Sequence, residues 1–384
     1  MKKKALMVST IIGFLGTFEI NDIRILQNIG YEVHCACNCD ISDNKIVVDN
    51  LRKAGIIEHH IPFARYPFTM TNIKAYKRLK QLISEEDFDL VHCHTPVGGV
   101  LGRMAAKSLQ IPMIIYTAHG FHFFKGCPLK NRIMFYPIEM MMSHCTDILI
   151  TINNEDFVVA KKKFKAKRTE RIHGVGIDIE KFCSVADSGK EKRKELGVSE
   201  NEIMLLSVGE LNRDKNHIEV LEAMRSLAPK GYKYFVAGNG NLKDSYNEFI
   251  KTNSLEKSVE LLGYRQDISE LLQAADIYVF PSLFEGISVA LMEAVAAKLP
   301  IACSKVRGNV DTVLTPESYF NTKNADTLVK AIEQIASMNK EHKQAMVETN
   351  YQNLLKYRLS EVQKEMTEIY KIADEAVERA RKNG

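Results

Sequence analysis

Short apolar runs alternate along this chain with stretches whose apolar residues recur every three to four positions. Residues 5–11, 32–37, 90–93, 113–117 and 148–152 read as buried strands. Residues 18–28, 46–54, 73–85, 98–108, 129–144 and 155–164 read as the helices between them. Neighbouring strands joined through a helix pair in parallel, because the helix carries the chain back to the starting edge of the sheet. The expectation is a parallel sheet with helices on both faces. A polar, charged stretch at 185–202 interrupts the rhythm and reads as an inter-domain linker with a short helix. Strands at 204–209, 234–237, 259–262, 277–280 and 301–304 then alternate with helices at 218–227, 242–253, 268–274 and 287–297. The pattern gives an α/β fold of two doubly wound domains, residues 1–184 and 185–358. A final helix, 359–384, carries Val362, Met366, Ile369, Tyr370, Ala373 and Val377 as one apolar stripe. It is expected to pack back across the two domains, with its place on the first.

Composition agrees with this division. The 384 residues suit two domains of about 150–200 residues each. With 45% hydrophobic and 26% charged residues, both can build a packed core. A net charge of +4 is too mild to argue for nucleic acid, and none is expected as a partner. The eight cysteines include no CxxC pair, which excludes a zinc ribbon and a thioredoxin-type motif. Cys35, Cys37 and Cys39 alternate and read either as small side chains on one strand face or as soft-metal ligands. Free thiols fit a reducing, cytoplasmic setting. Lys2, Lys3 and Lys4 before an apolar run resemble a short signal peptide, yet Glu19 and Asp22 follow at once and no small-residue cleavage site is present. A first strand running into a glycine loop, 13–16, is the reading preferred. No run of 18 or more apolar residues exists to form a membrane span.

Ligands of such sheets bind beyond the carboxyl ends of the strands, so the loops there are where chemistry is sought. The strand at 277–280 leads through Pro281 to Glu285 and Gly286, with a helix expected from Ile287. Amides at a helix start suit a phosphate. Glu285 stands just before them, and Glu293 about 9 Å further along the axis at 1.5 Å per residue. Ionised carboxylates only accept hydrogen bonds and so suit diols; otherwise the two are a cap-region and an exposed helical glutamate. The strand ending at Gly209 opens a loop with Arg213 and Lys215, a second place for a polyanion or a solvated turn. His119 follows the strand at 113–117, with Gly120 and His122 beside it. His92 and His94 end the preceding strand on one face; they could share a metal, but no third ligand is placed with them. The loops 174–178 and 263–268 supply glycines, and Tyr264 and Arg265 could face a nucleobase, while Asp267 suits a helix N-cap.

Jointly these strings resemble the GT-B glycosyltransferases of family 4, retaining enzymes that use a nucleotide-sugar donor. Residues 92–99, 116–124, 174–178, 209–217 and 288–293, with Arg307, Gly308 and Asn309, carry the resemblance, which covers nearly the whole chain. It is nearest to exopolysaccharide and capsule-assembly members, the EpsD-like group among them. The resemblance implies a GT-B fold, two Rossmann-like domains facing each other across a cleft, with the acceptor on the first and the donor on the second. It makes His119 and Glu285 the catalytic residues. Glu285 would hold the hydroxyls of the donor sugar and Glu293 the ribose. Lys215 and the amides of Gly286, Ile287, Ser288 and Val289 would hold the diphosphate, with Gly209, Arg213, Tyr264 and Arg265 completing the donor site. Gly13, Gly16, His94 and His122 would line the acceptor side. Such enzymes often carry arginine directly after the strand-ending glycine, where this chain has Glu210; Arg213 is the alternative second cation. No cofactor or metal is expected, a UDP-sugar being the co-substrate.

The partners implied are the nucleotide sugar, a polyprenyl diphosphate-linked glycan acceptor and an anionic membrane surface on the inner face of the cell membrane. The stretch 121–142, with Phe123, Phe124, Lys125, Lys130, Arg132, Phe135, Tyr136 and Met140 to Met142, suits that surface or else is a core-facing helix with polar edges. Two other functions fit the same fold. A sugar-nucleotide epimerase would need a further base on the donor side. A non-catalytic nucleotide-sugar-binding module would have no use for His119 together with Glu285.

Overall fold

In a computed structural model of the protein, which describes residues 2–41, 45–183 and 188–383, the chain forms two units. The first is Met1–Gly176 with Ser360–Gly384, and the second is Ile177–Leu359. The boundary expected at 184/185 lies outside the described residues. The chain has changed units before it: Ile177, Ile179 and Phe182 are buried in the core of the second unit. The charged stretch read as a linker is largely structure of that unit. Its helix, Ser188–Glu195, packs on Ile268–Ala274, with Arg193 donating to Ala274 O at 2.9 Å and to Asp276 Oδ2 at 2.8 Å.

The first unit holds a sheet of seven strands in the order β3-β2-β1-β4-β5-β6-β7, every pair parallel. They are β1 (Lys3–Ile11), β2 (Tyr31–Asn38), β3 (Ile57–His60), β4 (Leu90–Cys93), β5 (Met113–Ala118), β6 (Ile148–Thr151) and β7 (Arg168–Arg171). The lysine-led first segment is thus an interior strand, paired on both sides. The second sheet runs β10-β9-β8-β11-β12-β13, from β8 (Ile203–Val208), β9 (Tyr232–Ala237), β10 (Val259–Gly263), β11 (Ile277–Phe280), β12 (Ile301–Ser304) and β13 (Tyr319–Phe320). Alternate residues point to opposite faces, and both faces are buried. Leu205, Tyr234, Val236 and Val279 enter one core, and Met204, Leu206, Phe235, Tyr278 and Phe280 the other. That is why these strands read as continuous apolar runs.

Two local expectations change. Residues 13–16 are not a loop: Ile12–Phe14 is helical, Leu15–Glu19 forms a π turn, and Ile20–Asn28 continues as α-helix. Gly16 is small because the helix Lys45–Lys53 crosses it; a Cβ there would lie 2.8 Å from Val47 O. The helix expected from Ile287 begins at Val289, where Ser288 caps it by accepting from Leu291 N.

The last helix, Leu359–Asn383, belongs almost wholly to the first unit, and all six residues of its stripe are buried. Arg381 forks onto Asp89 at 2.6 and 2.8 Å, His173 Nδ1 lies 2.6 Å from Glu365 Oε1, and Tyr31 donates to Asp374 at 2.8 Å. Truncating a buried core methionine leaves a cavity and typically costs about 2–5 kcal/mol. Met366→Ala is therefore expected to lower the urea midpoint of the first unit markedly while leaving that of the second unchanged; a midpoint equal to the parent's would show that the stripe is not structural.

Candidate active site

Each sheet reverses its order beside its first strand: β1 pairs with β2 and β4, and β8 with β9 and β11. Crossovers leave the sheet in opposite directions at such a point, so a crevice opens beyond the strand ends. In the second unit this crevice receives the loops after β8 and β11. In the first it receives the segments after β1, β4 and β5.

In the second unit the loop after β8 is fixed from within and from below. Asn212 Oδ1 accepts from the amides of Asp214 and Lys215, both at 3.0 Å. Leu283 N donates to Asp214 O at 2.8 Å, and Asn216 Nδ2 reaches Pro281 O at 3.2 Å, so the loops after β8 and β11 are stapled together. The result places Lys215 Nζ 2.5 Å from Glu285 Oε1, with the ammonium 5.3 Å from the centre of the Phe280 ring. The Glu285 side chain is only 11% exposed, so the pair is far less screened than a surface one. Arg307 Nε donates to Glu285 O at 3.0 Å. Gly308 has φ +80° and lies against Gly286, where a Cβ would come within 2.1 Å of Gly286 O. The segment from Arg307 to Asn309 is therefore the support of the Glu285 loop, a role that spacing alone does not reveal.

Glu293 lies five residues into the helix Val289–Ala296. Burial pushes its carboxyl up to about 7, and Lys181 partly offsets this. The carboxyl therefore keeps its proton to higher pH than a glutamate in water. Arg265 does not join this group. Its guanidinium is held by Asp267 and Glu195, and Lys192 also bonds Asp267 at 2.7 Å. These partners drive the Asp267 carboxyl well below its ordinary range, and Asp267 makes no side-chain cap on the helix it precedes. Tyr264 and Arg213 are exposed, and Gly209 turns the chain above Lys215 and His217.

In the first unit three side chains converge. Glu19 Oε1 lies 3.2 Å from His119 Nε2 and 3.5 Å from His94 Nδ1, and the two rings approach to 3.4 Å between those nitrogens. Glu19 and His94 are buried, while His119 is one-fifth exposed. One atom from each lies within 4.8 Å of the others, so the three could hold a divalent ion. His94 Nε2 is buried without a partner. A metal on Nδ1 would force the proton onto that orphaned nitrogen, and a buried unmade donor costs about 1–3 kcal/mol. The donor set therefore favours Nδ1–H directed at Glu19 and His119. The His92 ring packs 4.1 Å from that of His94, but its nitrogens bond Tyr370 OH and Thr117 Oγ1, both at 2.8 Å, and burial lowers its pKa to about 3. Tyr370 in turn donates to Asp22 at 3.2 Å; burial first, then the charge of Glu19, raises the Asp22 carboxyl well above its ordinary range.

Thr95, after His94, sits at φ +62°, a conformation that costs a β-branched residue about 1–3 kcal/mol. Bonds from Thr10 N at 3.0 Å and with Thr10 Oγ1 at 2.8 Å hold it there. Glu19 stands in the sequence reading only as an acidic residue that argues against a signal peptide, on a stretch read as a helix, and not as a site residue; its place three residues after Gly16 was the available signal. Gly13 and Gly16 are helical, His122 is exposed against Phe135, and Phe123, one of the aromatic residues read for a membrane surface, is buried and stacks on Phe121 at 4.8 Å. On the helix Leu129–Ser143 it is Leu129, Ile133, Met134, Met140 and Met141 that are exposed. Among the described residues no helix is long and apolar enough to cross a membrane.

Comparison with known proteins bears on this arrangement. A family described as glycosyl transferase 4-like matches residues 14–153, and glycosyl transferases group 1 matches 188–353. EpsD of Bacillus subtilis (strain 168), named as a glycosyltransferase, is 35% identical over 344 residues, 87% of this chain and 88% of its own. The chain is a group 1, family 4-like glycosyltransferase. This glycosyltransferase is also 32% identical over 304 residues, 76% of each chain, to the UDP-Gal:alpha-D-GlcNAc-diphosphoundecaprenol alpha-1,3-galactosyltransferase of Escherichia coli. HepE of Anabaena, solved with UDP and glucose, superposes with a TM-score of 0.77 over 96% of this chain and 99% of its own at 17% identity. The fold is that of the GT-B glycosyltransferases.

The Glu293 shift has a consequence for stability. A carboxyl with a pKa near 7 when folded and about 4.5 when unfolded binds its proton more tightly in the folded chain. Stability therefore falls as pH rises between those values, by at most about 3 kcal/mol. Glu293→Gln is expected to melt with the parent at pH near 5 and above it at pH near 8. Equal melting temperatures at both would contradict the buried placement.

Proposed function

We propose that the enzyme transfers a sugar, with retention of configuration, from a UDP-sugar to a polyprenyl diphosphate-linked glycan during assembly of a cell-surface polysaccharide. The observation that carries this reading is the Lys215–Glu285 pair, held at the crevice of the second sheet with Glu293 behind it. A diphosphate placed at Lys215 and at the amides of Ile287 to Val289 meets positive charge and the positive end of a helix. Glu285, released from part of its pairing, accepts from the hydroxyls of the sugar, and Glu293 from the ribose. Gly209 and Gly286 let the backbone approach, Tyr264 and Arg213 stand at the rim, and Arg265, held by Asp267 and Glu195, stays outside the diphosphate clamp. His119 is the catalytic residue of the first unit, with Glu19 holding it. The neutralised diphosphate leaves as UDP, and its oxygen takes the proton of the attacking hydroxyl.

The UDP bound to HepE and the lipid-linked acceptor in the name of the Escherichia coli relative support these substrate classes. The exposed apolar side chains of Leu129–Ser143, with Lys130 and Arg132 between them, support work at an anionic membrane surface. The test is UDP release from a panel of UDP-sugars with and without lipid-linked acceptor. Release should rise on adding acceptor, with label passing to the lipid. Lys215→Ala should weaken UDP binding by about 1.5–3 kcal/mol, the worth of a charge-assisted hydrogen bond. Release indifferent to every acceptor, with no labelled lipid, would overturn the proposal.

A further inference from the structure

We propose that an apolar groove on the first unit holds the isoprenoid chain of the acceptor, so that lipid length as well as sugar is read there. This rests on the lipid-linked acceptor proposed above. The groove, of about 220 Å³, lies between the segment before Met70–Glu86 and the helices Pro96–Ser108 and Leu129–Ser143. Phe68, Val97, Val100, Leu101 and Ile138 line it. A second cavity, also of about 220 Å³, contains His119 and His122. Pro96, Phe135 and Glu139 line both, so the groove adjoins the pocket of the proposed catalytic histidine.

The walls select hydrocarbon. Glu139 is the one polar side chain lining the groove, and both of its oxygens are engaged. Arg103 donates to Oε2 at 2.8 Å and Tyr116 to Oε1 at 3.2 Å, while the guanidinium stacks 3.7 Å from the centre of the Tyr116 ring. A peptide laid here would bury amides that find no partner on these side chains; a prenyl chain has none to satisfy. The mouth continues the apolar surface outward. Tyr66, Phe68 and Met70 are 81, 75 and 74% exposed, and Met134 and Met141 flank Ile138 one helical turn to either side. Single exposed hydrophobics are ordinary, but a group converging on one groove marks a binding surface. Arg65, Lys74, Lys125 and Lys130 on the same segments are exposed, a charge suited to a diphosphate or an anionic leaflet.

The experiment uses the whole chain and labelled geranylgeranyl diphosphate, with isopentenyl diphosphate as a competitor that has the same headgroup and a single isoprene unit. At about 0.8 kcal/mol per buried CH₂, the longer chain should bind at least about tenfold more tightly. Val100→Trp, which fills the groove, and Ile138→Asp, which charges it, should each bring the two ligands to within about twofold, with UDP affinity and melting temperature unchanged. No chain-length preference in the parent, or a preference that survives both variants, overturns the assignment. So does a change in oligomeric state on either substitution, which would make the groove an interface between copies. Chain-length-dependent binding without any transfer would leave the groove standing and sink the proposed reaction; acceptor-dependent UDP release indifferent to chain length would do the reverse.

Discussion

All strands of each sheet are parallel, and that one constraint places everything else. Parallel strands end at a common edge, so every loop that follows a strand is delivered to the same side. Where the order reverses, at β1/β4 and β8/β11, the loops part and leave room. Glu19, His94 and His119 meet at the first reversal because they follow β1, β4 and β5. Lys215 and Glu285 meet at the second because they follow β8 and β11. Residues 70 positions apart in the chain become a hydrogen-bonded pair because two short loops are stapled to each other and the Arg307–Asn309 segment supports the second.

The second crevice keeps charge where the chain alone would avoid it. Glu293 is costly to ionise in its buried place, and Lys215 and Glu285 lose water to stand side by side. A salt bridge in such a place adds little stability compared with apolar packing. The arrangement makes sense as preorganisation: cation, helix amides and carboxylates already stand where a diphosphate, a sugar and a ribose would need them. The first crevice is similar in kind. Tyr370 of the last helix bonds both Asp22 and His92, so the C-terminal helix is tied to residues beside this crevice and not merely to the core.

Much of this was legible in the sequence where burial and punctuation coincide. The runs at 277–280 and 301–304 match β11 and β12 residue for residue, because strands covered on both faces are apolar throughout. The edge strands β3, β7 and β13 were missed: Ile57–His60 and Arg168–Arg171 are half exposed and polar, and Tyr319–Phe320 is two residues long. Gly13 and Gly16 looked like a ligand loop, but the need for a small residue at Gly16 comes from a helix 30 residues on, which no local pattern encodes. Arg265 looked available for a ligand until the fold brought Glu195 to its guanidinium and Lys192 to Asp267, which Arg265 also bonds. The charged stretch after residue 187 looked like a linker because its charges seemed destined for water; Arg193 and Lys192 spend them on Asp276 and Asp267 instead. Pattern therefore reaches strand ends and the loops they launch, whereas pairing between distant loops becomes visible only in three dimensions.

The central claim is that Glu285 handles the transferred sugar and does not merely balance Lys215. Glu285→Gln separates the two roles, since the amide keeps the shape and loses the charge. UDP affinity, measured by calorimetry, should stay within about threefold of the parent, while transfer from the preferred UDP-sugar should fall by at least about a hundredfold, roughly 2.7 kcal/mol in the barrier. Transfer close to the parental rate with UDP binding intact would contradict the account.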